Sequence, residues 1–367
     1  MPRDENGDLL VYDPMSWRAI LGGILVAICA WMATRALVHA ERVVTGNTNY
    51  GYVADPLGTK QFLSELDQPN FRQAGAEAVE KAKGVDTFLY RAADKASRAV
   101  YGKPFAPWSQ GNAGTCVSFG WGMGSWIGQS VSWASGELPA PPKMPATESI
   151  YGGSRTFGRL PPVLSGAGYS DGSYGAAAAR WVAGRCKDPT VGGILYREKY
   201  GTIDLSQYSI PLSREWGNSG VPLELARLAH AHTATAVSLI NDYDSLVASL
   251  ESGYPVAICS NVGFAATNVR DSMGYLPRGG QWNHCMVCIS CRHAKNAGGR
   301  DGVLVLNSWG GKWVGGPKWP SDQPDGSFWI SKADATSIIA QGDSFAIGSV
   351  GGFRYRDLHN GNWMEEK

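Results

Sequence analysis

At 367 residues, with 44% hydrophobic and 18% charged residues, the chain can bury one large core or two medium ones, which excludes a disordered polypeptide. Lys plus Arg (33) nearly balances Asp plus Glu (32) and no basic stripe stands out, so composition excludes an electrostatic nucleic-acid binder. Seven cysteines, an odd number with Cys259, Cys285, Cys288 and Cys291 crowded together, make a poor disulfide framework and leave the redox compartment open.

Residues 19–34 (AILGGILVAICAWMAT) are uncharged and apolar, and Ala36, Leu37 and Val38 extend the run past Arg35. With Arg35 snorkelling, the stretch 17–38 approaches the roughly 20 residues of a membrane helix. The expectation is a tail with a transmembrane anchor over residues 1–44, which makes the chain a single-pass membrane protein. The alternative is a cleaved signal peptide and a secreted product, with Val38-His39-Ala40 as the small-residue site. Against it, the leader carries Asp4, Glu5, Asp8 and Asp13 where a signal peptide wants positive charge. Arg3 and Arg18 are matched by Arg35 and Arg42, so orientation is not legible.

A Gly/Asn/Thr-rich link at 45–52 leads into two expected helices, 70–83 and 87–100, within a helical linker or pro-like segment at 45–102. The stretch Lys103-Pro104-Phe105-Ala106-Pro107-Trp108 punctuates its end. Helical patterns follow at 116–134 and 175–182. From 226 onward, short β-rich runs take over at 255–259, 285–291, 302–306, 327–330 and 344–350. Helices first and strands later predict an α+β domain at 103–367, with a helical lobe over 103–225 and a β-rich lobe over 226–355.

The chemistry concentrates in three places. Gln110-Gly111-Asn112-Ala113-Gly114-Thr115-Cys116 places a cysteine at the start of a helix after a glycine-containing turn. Free N–H groups there favour a thiolate, which is the nucleophile that cysteine hydrolysis needs. The backbone N–H of Cys116 and the side-chain amide of Gln110 can both donate to an oxyanion. Asn283-His284 opens the apolar run Cys285-Met286-Val287-Cys288-Ile289, and Asn307-Ser308-Trp309-Gly310 follows the run Val303-Leu304-Val305-Leu306. A general base needs a third group to fix its tautomer, and an Asn amide oxygen does so without adding charge. Trp309 can roof that pair.

The order Gln110, Cys116, His284, Asn307, with the Gln-Gly-x-x-Gly-x-Cys, Asn-His and Asn-Ser-Trp-Gly motifs as they stand, resembles the papain family of cysteine peptidases over about residues 103–353. The resemblance implies a papain-like two-lobe fold and a cysteine endopeptidase that cleaves peptide or protein substrates through a thioester. Cys116 is then nucleophile, His284 base, Asn307 orienter and Gln110 oxyanion donor. It also implies that Gly172-Ser173-Tyr174-Gly175 pairs with substrate backbone, with Trp309 beside it, and that an apolar pocket selects the second residue before the scissile bond. No cofactor and no metal are implied. Several features depart from the family's pattern. Ala113 stands where the family usually has a cysteine, Val117 replaces an aromatic residue, residues 315–325 look inserted, and no long pro-segment motif precedes the domain.

Other signals carry less. Cys285-x-x-Cys288-x-x-Cys291-x-His293 invites a zinc or iron–sulfur reading, but strand alternation puts Cys285 and Cys291 on one side and Cys288 on the other, so packing is expected. His230 and His232 read as surface or packing residues, Asp322-Gln323-Pro324-Asp325-Gly326 as a turn without calcium spacing, and Pro139 to Pro145 as a rigid loop. Two rival functions stay open: an inactive papain-like structural protein anchored in a membrane or particle, and a Cys–His amidase or transglutaminase.

Overall fold

The structure is a computed structural model that describes residues 5–6, 48–158, 171–234, 236–264, 268–296, 299–349 and 351–360. The anchor at 17–38 and the cleavage site at 38–40 lie outside the described residues. Among the described residues, no helix is long and apolar enough to cross a membrane. Residues Asn49–Lys367 make one compact unit.

Helix α1 (Pro56–Ser64) starts where Asp55 accepts the Gly58 N–H at 2.8 Å and Pro56 takes the first position, where its missing N–H costs nothing. The helix expected at 70–83 is two short ones, α2 (Phe71–Ala74) and α3 (Ala76–Glu80), broken at Gly75. A Cβ there would lie 2.6 Å from the Phe71 ring, so the chain turns tightly over that ring. Thr87 and Phe88 belong to a short strand, β1 (Thr87–Phe88), and only then does α4 (Tyr90–Tyr101) begin, ending at the left-handed Gly102.

Helix α5 (Cys116–Ala134) is buried on nearly every face, as an all-round apolar helix must be. Its Phe119, Met123, Trp126, Ile127 and Val131 join one core cluster; its Cys116, Val117 and Trp121 join the second. Losing a side chain such as Trp126 should cost about 3–5 kcal/mol. Helices α6 (Thr147–Arg155), α7 (Gly175–Val182), α8 (Ile210–Ser219) and α9 (Leu223–Ala229) pack on the second cluster's side.

The remaining chain builds an antiparallel sheet. Its strands are β2 (Ala236–Leu239), β3 (Val256–Phe264), β4 (Arg278–Arg292), β5 (Gly302–Leu306), β6 (Ser327–Ser331) and β7 (Ser344–Gly348). They lie in the order β2-β7-β3-β4-β5-β6, and β1 also pairs with β4. Helix α10 (Tyr243–Glu251) precedes β3, and α11 (Lys332–Ile339) joins β6 to β7. The long strand β4 carries His284 at its middle and Cys291 near its C-terminal end. Helix α5 lies flat on it because Gly120 permits close approach: a Cβ there would meet the Cys285 Sγ at 2.8 Å. The pairing of β4 with β5 slips register between Cys288 and Ser290. Strict alternation therefore does not run unbroken from Cys285 to Cys291, which corrects the side assignment expected from the sequence.

Candidate active site

Cys116 is the first residue of α5. Thr115, a residue type that ordinarily caps a helix, makes no cap bond; its Oγ1 sits 2.9 Å from the Tyr208 hydroxyl instead. The uncapped N–H groups of Cys116 and Val117 are thereby left to face the Cys116 sulfur, joined by the N–H of Cys285. These donors pull its pKa down, but burial pushes it up further, with the Cys285 thiol adding to the rise, and the net shift is well upward. Cys259 pairs across β3 and β4 with Cys285, so three buried free thiols cluster below the site.

His284 is buried, and its Nε2 lies 2.7 Å from Asn307 Oδ1. The Ser308 N–H donates to that same Oδ1 at 2.7 Å, which fixes the amide oxygen as the atom facing the ring. Nε2 must then carry the proton, and Nδ1, buried and without a hydrogen-bond partner, is left as the free base. Burial lowers the His284 pKa to about 4, with the Asn307 bond opposing. Burial thus works toward the neutral form of both groups.

Ser308 ties the two halves of the site together. Its hydroxyl donates to Gln110 Oε1 at 2.6 Å, and the Gln110 N–H donates to the Ser308 carbonyl at 2.9 Å. This leaves the Gln110 amide nitrogen as donor, and it bonds the carbonyls of Ala113 at 2.7 Å and Tyr50 at 3.0 Å. Trp309 lies over His284 with ring centroids 4.9 Å apart and planes at 30°, backed by Trp282 and Trp313. The structure thus joins His284, Asn307, Trp309 and Gln110 in one network, with Cys116 against Cys285, the next residue of β4.

Residues Tyr50 to Val53, read from the sequence as a link, run through this site. The Tyr50 ring packs on His284 and Trp309 at 5.2 and 4.5 Å. The Tyr50 and Tyr52 N–H groups both donate to the Asn283 carbonyl, at 3.0 and 3.3 Å. Ser173 donates to Gly51 O at 2.8 Å and accepts from the Val53 N–H at 2.9 Å, a parallel pairing centred on Tyr52. Gly51, at φ +119°, fits because a Cβ would stand 2.1 Å from the Gly114 carbonyl oxygen.

Within Gly172–Gly175, Ser173 pairs with this segment. Gly172 accepts no strand partner of that kind; its N–H donates to the Tyr151 hydroxyl at 2.9 Å. Tyr174 precedes α7, and the Gly175 and Ala176 N–H groups donate to the buried Asp343 carboxylate at 2.7 and 2.8 Å. Tyr52 is buried with its hydroxyl bonded to Asp343 and its ring near Cys259 and Cys285. Burial raises the Asp343 pKa to about 7 against those hydrogen bonds. Sequence reading missed Tyr50, Tyr52, Asn283, Ser308 and Asp343. Only Asn283 and Ser308 had a signal, being inside the motifs already singled out.

No family model matches the sequence, and no curated protein does. Among solved structures, the chain is similar to xylellain, a cysteine protease from Xylella fastidiosa, at TM-score 0.50 and 18% identity, over 83% of this chain and 97% of that one. The chain has the papain-like fold. Digestive procathepsin L 3 of Tenebrio molitor larval midgut (TM-score 0.41, 15% identity, 86% of this chain and 88% of that one) is also similar. So is the bromelain protease of Ananas comosus in complex with the E64 inhibitor (TM-score 0.40, 14% identity, 68% and 95%). In this papain-like chain, β4 carries the imidazole, the residue after β5 its amide partner, and α5 the thiol.

Proposed function

We propose that the chain is a papain-like cysteine peptidase, held closed in the present state by its own residues 50–53. The observation that carries the reading is the bare, buried Nδ1 of His284, left as a base by the Asn307 and Ser308 bonds on the strand that packs against Cys116. In the reaction, Nδ1 takes the Cys116 proton as sulfur attacks a peptide carbonyl carbon. The N–H of Cys116 and the Gln110 amide receive the oxyanion, and the imidazolium returns its proton to the leaving amine. Water, deprotonated by the same ring, then hydrolyses the thioester.

Tyr50 to Val53 occupy what a substrate would need. The Tyr50 carbonyl takes the Gln110 donor, and Ser173 and Asn283 give their backbone groups to the segment. The pocket under Tyr52 is then a substrate side-chain pocket with a carboxylate, Asp343, at its floor. It is less apolar than the family resemblance implies and suits a side chain ending in a hydrogen-bond donor. The segment is tested by Tyr50→Ala/Tyr52→Ala in the full chain. Peptide hydrolysis should appear or rise at least about 10-fold, and tyrosine should outrun phenylalanine at the pocket position. An inactive scaffold predicts no hydrolysis in either protein, and an amidase or transglutaminase predicts turnover only on non-peptide acyl donors. Membrane anchoring through residues 17–38 is proposed on their apolarity alone. Resistance of the full chain to carbonate extraction supports it, whereas a mature N-terminus at Glu41 supports the signal peptide.

A further inference from the structure

The run of cysteines on β4 ends at a second constellation, remote from the catalytic one. Cys291 is fully buried near the end of β4, and His293 lies two residues on, just past the strand. A third group comes from elsewhere in the chain: Glu251, the last residue of α10, is 7% exposed. One ligand atom from each of the three lies within 4.8 Å of the others. A reading of the strand alone could not find this site, because the residue that completes it is forty positions upstream.

The polar contacts here are uneven. Glu251 is held in place by backbone donors: Lys83 N–H at 2.8 Å and Gly84 N–H at 3.2 Å on Oε2, and Val85 N–H at 3.3 Å on Oε1. The backbone N–H of His293 donates to Asp86 Oδ1 at 2.8 Å. Yet its Nε2, although 2.9 Å from Glu251 Oε1, is a buried atom without an aligned hydrogen bond. Cys291 Sγ lies 3.9 Å from the Val85 carbonyl and also meets the Thr87 hydroxyl and backbone N–H. An ion pair explains the closeness of His293 and Glu251 but not the misalignment. Lone pairs converging on a shared centre, with the Cys291 sulfur as the third donor, explain both.

We propose that Glu251, Cys291 and His293 form a binding site for a zinc-class divalent ion. One thiolate, one imidazole and one carboxylate make a donor set suited to a borderline-soft d¹⁰ metal, and a water completes a tetrahedron. On binding, the Cys291 S–H bond breaks, its proton passes to solvent and the sulfur–metal bond forms; Glu251 and His293 donate lone pairs. The thiolate and carboxylate together balance the ion's two charges. Lys295, on the adjoining turn, directs its ammonium to the Lys83 carbonyl at 3.3 Å. Cys291 is seven positions along the strand from His284, roughly 20 Å at about 3.4 Å per residue, so the ion acts on the fold and not on the reaction. It clips the turn at 83–86 and the end of α10 to the strand that carries the catalytic imidazole.

The test uses full-length Cys116→Ala protein, so that the reactive thiol contributes nothing, stripped with EDTA and titrated with Cd(II) and then Zn(II). The expected result is one equivalent bound, a sulfur-to-cadmium charge-transfer band, and a higher Tm with metal than without. Cys291→Ser should remove the band. His293→Gln should weaken binding by at least about 10–100-fold, the range that even a group outside the first ligand sphere commands. Cys186→Ser, at a distant thiol, should bind as the parent does. Circular dichroism confirms that each variant is folded before titration. A band that survives in folded Cys291→Ser protein, or no metal bound at micromolar concentration, overturns the proposal.

Discussion

At two sites along β4, its middle and the residue just past its C-terminal end, a histidine sits beside an oxygen acceptor, and the difference between the acceptors separates their chemistry. At mid-strand, His284 meets the neutral amide oxygen of Asn307, which orients the ring without adding charge. Its Nδ1 is buried and without a hydrogen-bond partner. At the other, His293 meets the carboxylate of Glu251, anchored by three backbone N–H groups, and a thiol completes a donor set. A neutral partner leaves a histidine free to exchange a proton; a charged partner commits it to a cation. One strand thus supports a reactive site and a binding site through the choice of amide or carboxylate.

The sharpest break of that comparison is at the nucleophile. In protein opened by the Tyr50→Ala/Tyr52→Ala changes, Cys116→Ala should reduce peptide hydrolysis to background, and His284→Ala should be nearly as severe, as read from initial rates. Gln110→Ala removes one oxyanion donor and should lower kcat by about 10²–10³. Asn307→Ala should leave the most activity of the four, because an unanchored ring still samples the productive pose. Asn307→Asp is more informative, since it gives His284 the kind of partner His293 has. The carboxylate should raise the ring's pKa and move the acid limb of the pH–rate profile to higher pH, with turnover partly kept.

Stability should respond to pH with two opposite signs. His284 is lowered from 6.5 to about 4, so its contribution is full above 6.5 and is lost as pH falls toward 4. Asp343 is raised from 3.8 to about 7, so its contribution is present below 3.8 and is lost as pH rises through 7. Calorimetric Tm profiles of His284→Gln should lose the acid-side fall, and those of Asp343→Asn the neutral-side fall. At the far end of β4, Glu251→Ala strands the N–H groups of residues 83–85 and should cost about 1–3 kcal/mol, measured by urea unfolding.

What the sequence made legible was chemistry written contiguously. The Cys116 helix and the Gly175 helix have the bounds expected of them, and β5 runs over the expected 302–306. Gln110, His284 and Asn307 stood out because each sits in a short motif whose residue types serve one purpose. What stayed hidden depends on pairing across the chain. Tyr50 to Val53 look like a linker because their partners, Asn283 and Ser173, are far off in sequence. Asp343 looks like a loop acid until the α7 N–H groups and the Tyr52 hydroxyl converge on it. Thr87 and Phe88 were drawn into a helix by the composition that follows them, whereas pairing with Ser290 and Cys291 makes them a strand. The proposed ligand role of Cys291 depends on Glu251 of the helix packed beside the strand, a residue forty positions away in sequence.

The central claim is that Cys116 and His284 form a working pair shut by residues 50–53, and alkylation of Cys116 by iodoacetamide tests it most directly. The rate is followed against pH, and the labelled thiol is located by mass spectrometry. The account predicts slow labelling in the parent chain and fast, Cys116-specific labelling at neutral pH in Tyr50→Ala/Tyr52→Ala, slowed again when His284→Ala is added. Equal rates in the parent and the opened protein, or fast labelling that is indifferent to His284, would contradict it.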